Sequence, residues 1–133
     1  MKGSLTIVGL GPGAPELITP AVTDALKDST DIVGYSKYID RVKDASGKSF
    51  HPSDNREEID RAELSINLAL QGKKVVVVSS GDPGVFAMAS AIFEVVDKKN
   101  ISIDDLPIIV LPGITALLAA SARLGAPIGH DFC

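Results

Sequence analysis

Four consecutive valines, Val75 to Val78, constrain the fold more than any other stretch of the sequence. A continuous β-branched run is typical of a strand that is buried on both faces, because neither face can be left to water. In open α/β sheets, ligands bind just beyond the carboxyl ends of such strands. Here that position holds a polar turn with the sequence SSGDPG, residues 79–84. The sequence therefore predicts a central parallel strand that leads into a binding turn.

Segments typical of strands and of helices alternate about five times along the 133 residues. This alternation predicts one α/β domain with a mostly parallel sheet, right-handed crossovers and helices on both faces. A chain of this length can bury about two-thirds of its unfolded surface in a single core. The predicted strands lie at residues 4–9, 31–35, 48–51, 75–78 and 107–111.

Capping residues and apolar periodicity mark the helices. Thr19 precedes Pro20 as a cap, and Asp54 is followed three residues later by Glu57 before an apolar run that stops at Gly72. Another helix is predicted from about Val85 to Lys98, and a last one stops at Gly125. Within the helix from about Val85 to Lys98 we expect the apolar residues to face inward, namely Phe86, Ala89, Ile92, Phe93 and Val96.

Three turns between a predicted strand and the following helix are rich in glycine and proline: residues 9–13, 81–84 and 112–113. Parallel strands end at the same edge of a sheet, so these turns line one crevice if their strands are neighbours. Asp82 either shapes its turn or meets a polar ligand, and Thr115 either caps the last helix or holds a ligand. Both alternatives stay open at this point.

The first of these turns also matches the dinucleotide fingerprint GxGxx[GA] at Gly9, Gly11 and Ala14. Two features argue against a Rossmann domain that binds NAD or FAD. Pro12 and Pro15 interrupt the place where the fingerprint helix should begin, and no acidic residue ends the second predicted strand. A P-loop is excluded, because no Gly-Lys-Ser/Thr follows any of the glycines.

Charge and composition exclude several classes of function. The net charge is -4 with both signs interspersed, which gives no electrostatic basis for binding nucleic acid or an anionic membrane. The sequence has neither an apolar stretch of about 20 residues nor a leader pattern, so we expect a cytoplasmic protein. Its one cysteine, Cys133, and two distant histidines, His51 and His130, predict no metal site.

Four segments, VGLGPGAPELITPAV, GYSKYID, VSSGDPGVFAMA and LPGITALLAASARLGAPIGHDFC, closely resemble the tetrapyrrole (corrin/porphyrin) methylase family. The resemblance extends over the whole chain and implies the N-terminal α/β domain of such an enzyme, residues 1–133. About 112–133 would contain the last helix and the start of the interdomain connection. The second domain is absent, and we expect that Cys133 marks a cut in a longer enzyme.

The resemblance implies methyl transfer from S-adenosyl-L-methionine to C17 of a precorrin-type tetrapyrrole, or of its cobalt form, in cobalamin biosynthesis, with ring contraction. It also implies a homodimer. It assigns no catalytic residue, although His130 and Asp131 are hypothesised to face the tetrapyrrole. Carried over from the family motifs, the expected cofactor contacts are Pro12, Gly81, Asp82, Val85, Thr115 and Ala116.

Two other functions remain compatible with the sequence: a family member that methylates another position, and a noncatalytic binding or assembly domain. Because half of the crevice would be missing, we expect this chain alone to bind the cofactor weakly and to transfer no methyl group.

Overall fold

A computed structural model describes residues 2–42 and 47–132 of the chain. Strands and α-helices alternate through these residues, and one short 3-10 helix (Pro15–Leu17) follows the first strand. The strands are β1 (Ser4–Gly9), β2 (Asp31–Tyr35), β3 (Ser49–Ser53), β4 (Lys74–Ser79) and β5 (Ile108–Leu111). The helices are α1 (Pro20–Asp28), α2 (Ser36–Ile39), α3 (Glu58–Leu70), α4 (Met88–Lys98) and α5 (Ala116–Leu124).

The strands form one sheet in the order β3-β2-β4-β1-β5, and every neighbouring pair is parallel. The valine-rich β4 lies at the centre, between β2 and β1, which confirms the prediction. Val75 and Val77 pack into the hydrophobic cluster on one face, while Val76 and Val78 pack into the cluster on the other. The unbroken valine run is thus explained by two buried faces.

Helices cover both faces of the central strands, as predicted. Ala62 and Ile66 of α3 and Ile92 of α4 pack on the face that contains Val75. Val22 of α1 and Ile39 of α2 pack on the opposite face. In contrast, α5 buries no residue, and the edge strand β5 leaves apolar side chains exposed. The exposed apolar residues of these two elements are Ile109, Val110, Leu117, Leu118 and Leu124.

Helix α4 begins at Met88, three residues later than the predicted start at Val85. The delay arises because Phe86 adopts a left-handed backbone conformation, with φ of 52°, and Ala87 is extended. Phe86 is fully exposed and Phe93 is 46% exposed, so the prediction that both face inward is wrong. The buried stripe of α4 contains Ile92, and the next residue along a helix points about 100° away from it.

The other predicted boundaries differ little from the observed ones. Thr19 caps α1 by accepting a hydrogen bond from the backbone N–H of Val22 at 3.3 Å. Gly125 ends α5 with φ of 64°. Helix α3 begins at Glu58 rather than near Asp54, because the Glu57 carboxylate accepts from the Asp54 backbone N–H and closes a turn ahead of the helix.

Strand β3 is displaced by one to two residues from its predicted bounds, 48–51, because it follows the register of β2, in which Tyr35 pairs with Ser53. No helix within the described ranges is long and apolar enough to cross a membrane.

Candidate functional site

The three glycine-rich turns meet at the carboxyl edge of the sheet, because β4, β1 and β5 are adjacent. A pair of backbone hydrogen bonds joins the first two turns. The Gly11 N–H donates to the Gly81 carbonyl at 3.1 Å, and the Gly81 N–H donates to the Gly11 carbonyl at 2.9 Å. The prediction that these turns line one crevice is therefore confirmed.

The third turn is held against the other two by a contact that only glycines permit. The Gly81 carbonyl oxygen lies between Gly9 and Gly113. A Cβ atom added to either glycine would lie 2.1 Å from that oxygen. Backbone can approach this closely only where no side chain intervenes, so Gly9 and Gly113 are required for packing.

The carboxylate of Asp82 ties the second turn to the third. Its Oδ1 accepts from the Gly113 N–H at 2.9 Å, and its Oδ2 accepts from the Gly84 N–H at 2.9 Å. Hydrogen bonds to an ionised carboxylate are stronger than neutral ones. Of the two alternatives for Asp82, shaping the turn is therefore observed, while its contact with a cofactor stays a prediction.

Thr115 shows a similar division between a structural role and a predicted one. Its Oγ1 accepts from the Leu118 N–H at 3.3 Å and caps α5, which confirms the structural alternative. The same residue also lies on the cleft above the three turns. Its contact with a cofactor is not tested by this geometry.

The cleft above these turns has a volume of about 550 Å³, within the range of small-molecule sites. All six predicted cofactor contacts line it, namely Pro12, Gly81, Asp82, Val85, Thr115 and Ala116. The structure thus brings them together, and their assignment as cofactor contacts stays a prediction. His130 and Asp131 are exposed and do not line the cleft.

Arg61 is a cleft residue that the sequence analysis does not single out. It lies on the buried stripe of α3 together with Ala62, Ser65, Ile66 and Ala69, and only 4% of its surface is exposed. A charged residue at a buried position of a helical repeat is the signal by which it could have been found.

Burial lowers the pKa of the Arg61 guanidinium, and the nearby carboxylates of Glu58 and Glu57 oppose this by raising it. An arginine keeps its positive charge in proteins despite such a shift. The cleft therefore contains one buried cation.

The hydroxyl of Ser79 is a second buried polar group at the cleft. Ser79 ends β4, lines the cleft and is 2% exposed. Its hydroxyl oxygen has no hydrogen-bond partner among residues 2–42 and 47–132. Buried polar groups are nearly always paired, so an unpaired one at a cleft is a feature that a ligand can explain.

Arg41 supports the first glycine-rich turn from the side of α2. Its Nη2 donates to the Leu10 carbonyl at 2.7 Å, and its Nη1 donates to the Gly11 carbonyl at 3.3 Å. Burial lowers the pKa of Arg41, whereas Tyr38 raises it. Because both acceptors are backbone carbonyls, Arg41 serves to fix the turn.

No group of three or more His, Cys, Asp or Glu side chains that could hold a metal ion occurs in the described part of the chain.

Comparison with known proteins gives consistent results. A sequence profile described as Tetrapyrrole (Corrin/Porphyrin) Methylases matches residues 4–133. A precorrin-3B C(17)-methyltransferase of Sinorhizobium sp is 45% identical over 133 residues, which cover 100% of this chain and 52% of that protein. The chain spans about half the length of this relative and of a probable cobalt-factor III C(17)-methyltransferase of Salmonella typhimurium, and 25% of the CobIJ protein of Mycobacterium tuberculosis.

Solved structures share the fold. The crystal structure of the methyltransferase CobJ has a TM-score of 0.92 and 55% identity, covering 98% of this chain and 54% of the other. The uroporphyrin-III C-methyl transferase of Thermus thermophilus, complexed with S-adenyl homocysteine, has a TM-score of 0.75 and 27% identity. The match covers 97% of this chain and 54% of the other. With its profile match over nearly all residues, the chain belongs to the tetrapyrrole (corrin/porphyrin) methylases.

Proposed function

We propose that the protein containing this chain uses S-adenosyl-L-methionine to methylate C17 of precorrin-3B, or of its cobalt form, with contraction of the macrocycle. One observation carries this proposal: three turns, at Pro12, Asp82 and Thr115, meet around one cleft at the carboxyl edge of the sheet. The 45% identity to the precorrin-3B C(17)-methyltransferase of Sinorhizobium sp supports this branch of the family.

The residues of the cleft fit such a cofactor. Val85 and Leu117 offer apolar surface, and glycine-rich backbone allows close approach to a nucleoside. The carboxylate of Asp82 suits a ligand that carries positive charge. The Thermus thermophilus relative, which has the same fold, was solved with S-adenyl homocysteine and supports this choice of cofactor.

The cofactor supplies an electrophilic methyl group on a positively charged sulfur. The chain's own residues then have to hold donor and acceptor in line and exclude water, which lowers the barrier without a protein nucleophile. Among the described residues, those that line the cleft include neither histidine nor cysteine. This composition favours methyl transfer by positioning over acyl transfer through a nucleophile and its base.

The remaining half of the full-length protein would supply the opposite wall of the cleft. Apolar side chains of β5 and α5 are exposed here, including Ile109, Leu118 and Leu124, and they would be covered by that half. We therefore propose that residues 1–133 form the N-terminal domain. With one wall missing, the chain alone should bind the cofactor weakly and transfer no methyl group. On the family resemblance, the full-length protein is proposed to be a cytoplasmic homodimer.

The test uses full-length protein with precorrin-3B, its cobalt form and S-adenosyl-L-methionine, followed by product mass and NMR assignment of the new methyl group. We expect one methyl group at C17. Methylation at another ring position would support the alternative that this is a family member of different regiochemistry. Calorimetry should show binding of S-adenosylhomocysteine and none of NAD, and the reverse result would contradict the proposal.

A further inference from the structure

The cleft has a polar wall, which we define as Tyr38, Asn55, Glu58, Arg61 and Ser79. These residues come from α2, the segment between β3 and α3, α3 and the end of β4, whereas Thr115 follows β5. Arg61 is fixed by Ser53 and Asp54, at and just after the end of β3. Strands β3 and β5 are the two opposite edges of the sheet. Arg61 and the turn after β5 therefore lie toward opposite edges of the sheet.

Arg61 leaves much of its hydrogen-bonding capacity unused. A guanidinium has five N–H donors. Its Nε donates to the Ser53 hydroxyl at 2.9 Å, and Nη2 donates to the Asp54 carbonyl. Nη1 is directed at the Met88 sulfur at 3.5 Å, and a thioether is a weak acceptor. Two donors remain without a protein acceptor among the described residues, and a third has only a poor one.

The positive charge of Arg61 also lacks a direct partner. No carboxylate of residues 2–42 and 47–132 lies within 4.0 Å of the guanidinium. A buried charge is costly unless it is paired. The unpaired hydroxyl of Ser79 is an independent observation at the same cleft. A ligand that brings an anionic oxygen would satisfy both groups.

We propose that Arg61, together with the Ser79 hydroxyl, receives a carboxylate of the tetrapyrrole substrate. This inference rests on the proposed function, because corrin precursors carry carboxylate side chains around the ring. The polar wall then positions the macrocycle, while the three glycine-rich turns hold the cofactor. Arg61 is a binding and positioning residue for the acceptor.

The charge of the surroundings favours a carboxylate over a phosphate. Glu58 lies one turn before Arg61 on the same helix, and Glu57 and Asp54 act on the same guanidinium. These carboxylates would repel a doubly charged anion more strongly than a singly charged one. A single guanidinium matches one carboxylate, to which it can donate two parallel hydrogen bonds.

The test compares Arg61→Gln and Arg61→Lys with wild type in the full-length protein. Arg56→Gln is the matched control, since Arg56 is exposed, lies five residues earlier and does not line the cleft. We expect Arg61→Gln to raise KM for the tetrapyrrole about ten- to a hundredfold, in line with the loss of a charged hydrogen bond. The Kd of S-adenosylhomocysteine should stay unchanged, Arg61→Lys should be intermediate, and Arg56→Gln should match wild type.

A second measurement separates the two possible sources of the carboxylate, because S-adenosylmethionine also carries one. S-adenosylhomocysteine is compared with 5′-methylthioadenosine, which lacks the amino-acid portion. If Arg61→Gln weakens binding of the first and not of the second, the carboxylate is the cofactor's and our assignment to the substrate is overturned.

Substrate esters keep the proposal testable even where Arg61→Gln fails to fold. Wild type should bind a tetrapyrrole with esterified carboxylates less tightly than the free acid. In Arg61→Lys the difference in affinity between the acid and the ester should be smaller. Equal binding of acid and ester by wild type overturns the inference while methyl transfer, and thus the proposed function, stands. Absence of both S-adenosylhomocysteine binding and methyl transfer in wild type would instead remove the proposed function itself.

Discussion

Replacing Gly113 with alanine tests whether the three turns must pack as tightly as they do here. The new Cβ would lie 2.1 Å from the Gly81 carbonyl oxygen and 3.0 Å from the Cα atom of Gly9. The turns would have to separate by about 1.3 Å to turn the 2.1 Å approach into an ordinary contact of 3.4 Å. Overpacking of this kind costs about 1–3 kcal/mol.

The functional loss, expressed as a free energy, should be at least comparable to the loss of stability, since a hundredfold in rate corresponds to about 2.7 kcal/mol. A displacement of about 1 Å in a positioning site can cost on the order of a hundredfold in rate. We therefore expect Gly113→Ala to lower kcat/KM for methyl transfer about a hundredfold and to weaken S-adenosylhomocysteine binding. The assay combines kinetics, calorimetry and thermal unfolding of the full-length protein.

Gly129→Ala is the matched control, because a Cβ at Gly129 would have no atom within 4 Å among the residues that the structure describes. Its stability should lie within about 0.5 kcal/mol of wild type. If Gly113→Ala behaves like Gly129→Ala in both stability and methyl transfer, the close packing of the turns is not what the site depends on.

Three further substitutions test other contacts in the structure. Asp82→Ala removes the hydrogen bond that joins the second turn to the third and the one that closes the second turn on Gly84, and we expect a loss of about 1–3 kcal/mol in thermal or denaturant unfolding, with Ser90→Ala as the exposed control. Phe86 lines the cleft with an exposed ring and a left-handed backbone, so Phe86→Gly should leave stability equal or higher while weakening ligand binding as measured by calorimetry. Asp31→Asn should lower the unfolding free energy at pH 7 and have a smaller effect near pH 3.

The pH dependence of Asp31 follows from its surroundings. Burial raises the pKa of its carboxyl, but hydrogen bonds from Thr30 at 2.7 Å and His51 at 2.8 Å outweigh this and hold the pKa below its ordinary value of 3.8. A lowered pKa means that the folded state favours the ionised form. The stabilisation is therefore present above pH 3.8 and is lost as the pH falls through the lower pKa of the folded protein. If Asp31→Asn changed the unfolding free energy equally at pH 7 and pH 3, this reasoning would be contradicted.

The central part of the fold could be predicted because its signals are local. Four valines in a row require burial on both faces, and Thr19 and Gly125 mark helix ends by chemistry that needs only neighbouring residues. The convergence of the turns at Pro12 and Asp82 also followed, since the carboxyl ends of adjacent parallel strands share one edge.

The features that the sequence did not predict depend on backbone conformation at single residues and on contacts between residues that are distant in sequence. The predicted start of α4 was wrong because Phe86 adopts a left-handed conformation and Ala87 an extended one, which apolar periodicity does not reveal. Arg61 was missed because its burial depends on the end of β3 and on Met88, which is 27 residues away. Periodicity identifies a buried stripe, but it does not reveal which member of that stripe borders a cleft.

The most direct test of the central claim is a crystal structure of the full-length protein with S-adenosylhomocysteine. We predict that the nucleoside lies in the cleft, in contact with the turns that contain Pro12, Asp82 and Thr115. A nucleoside bound elsewhere, with these three turns free of ligand, would contradict the account.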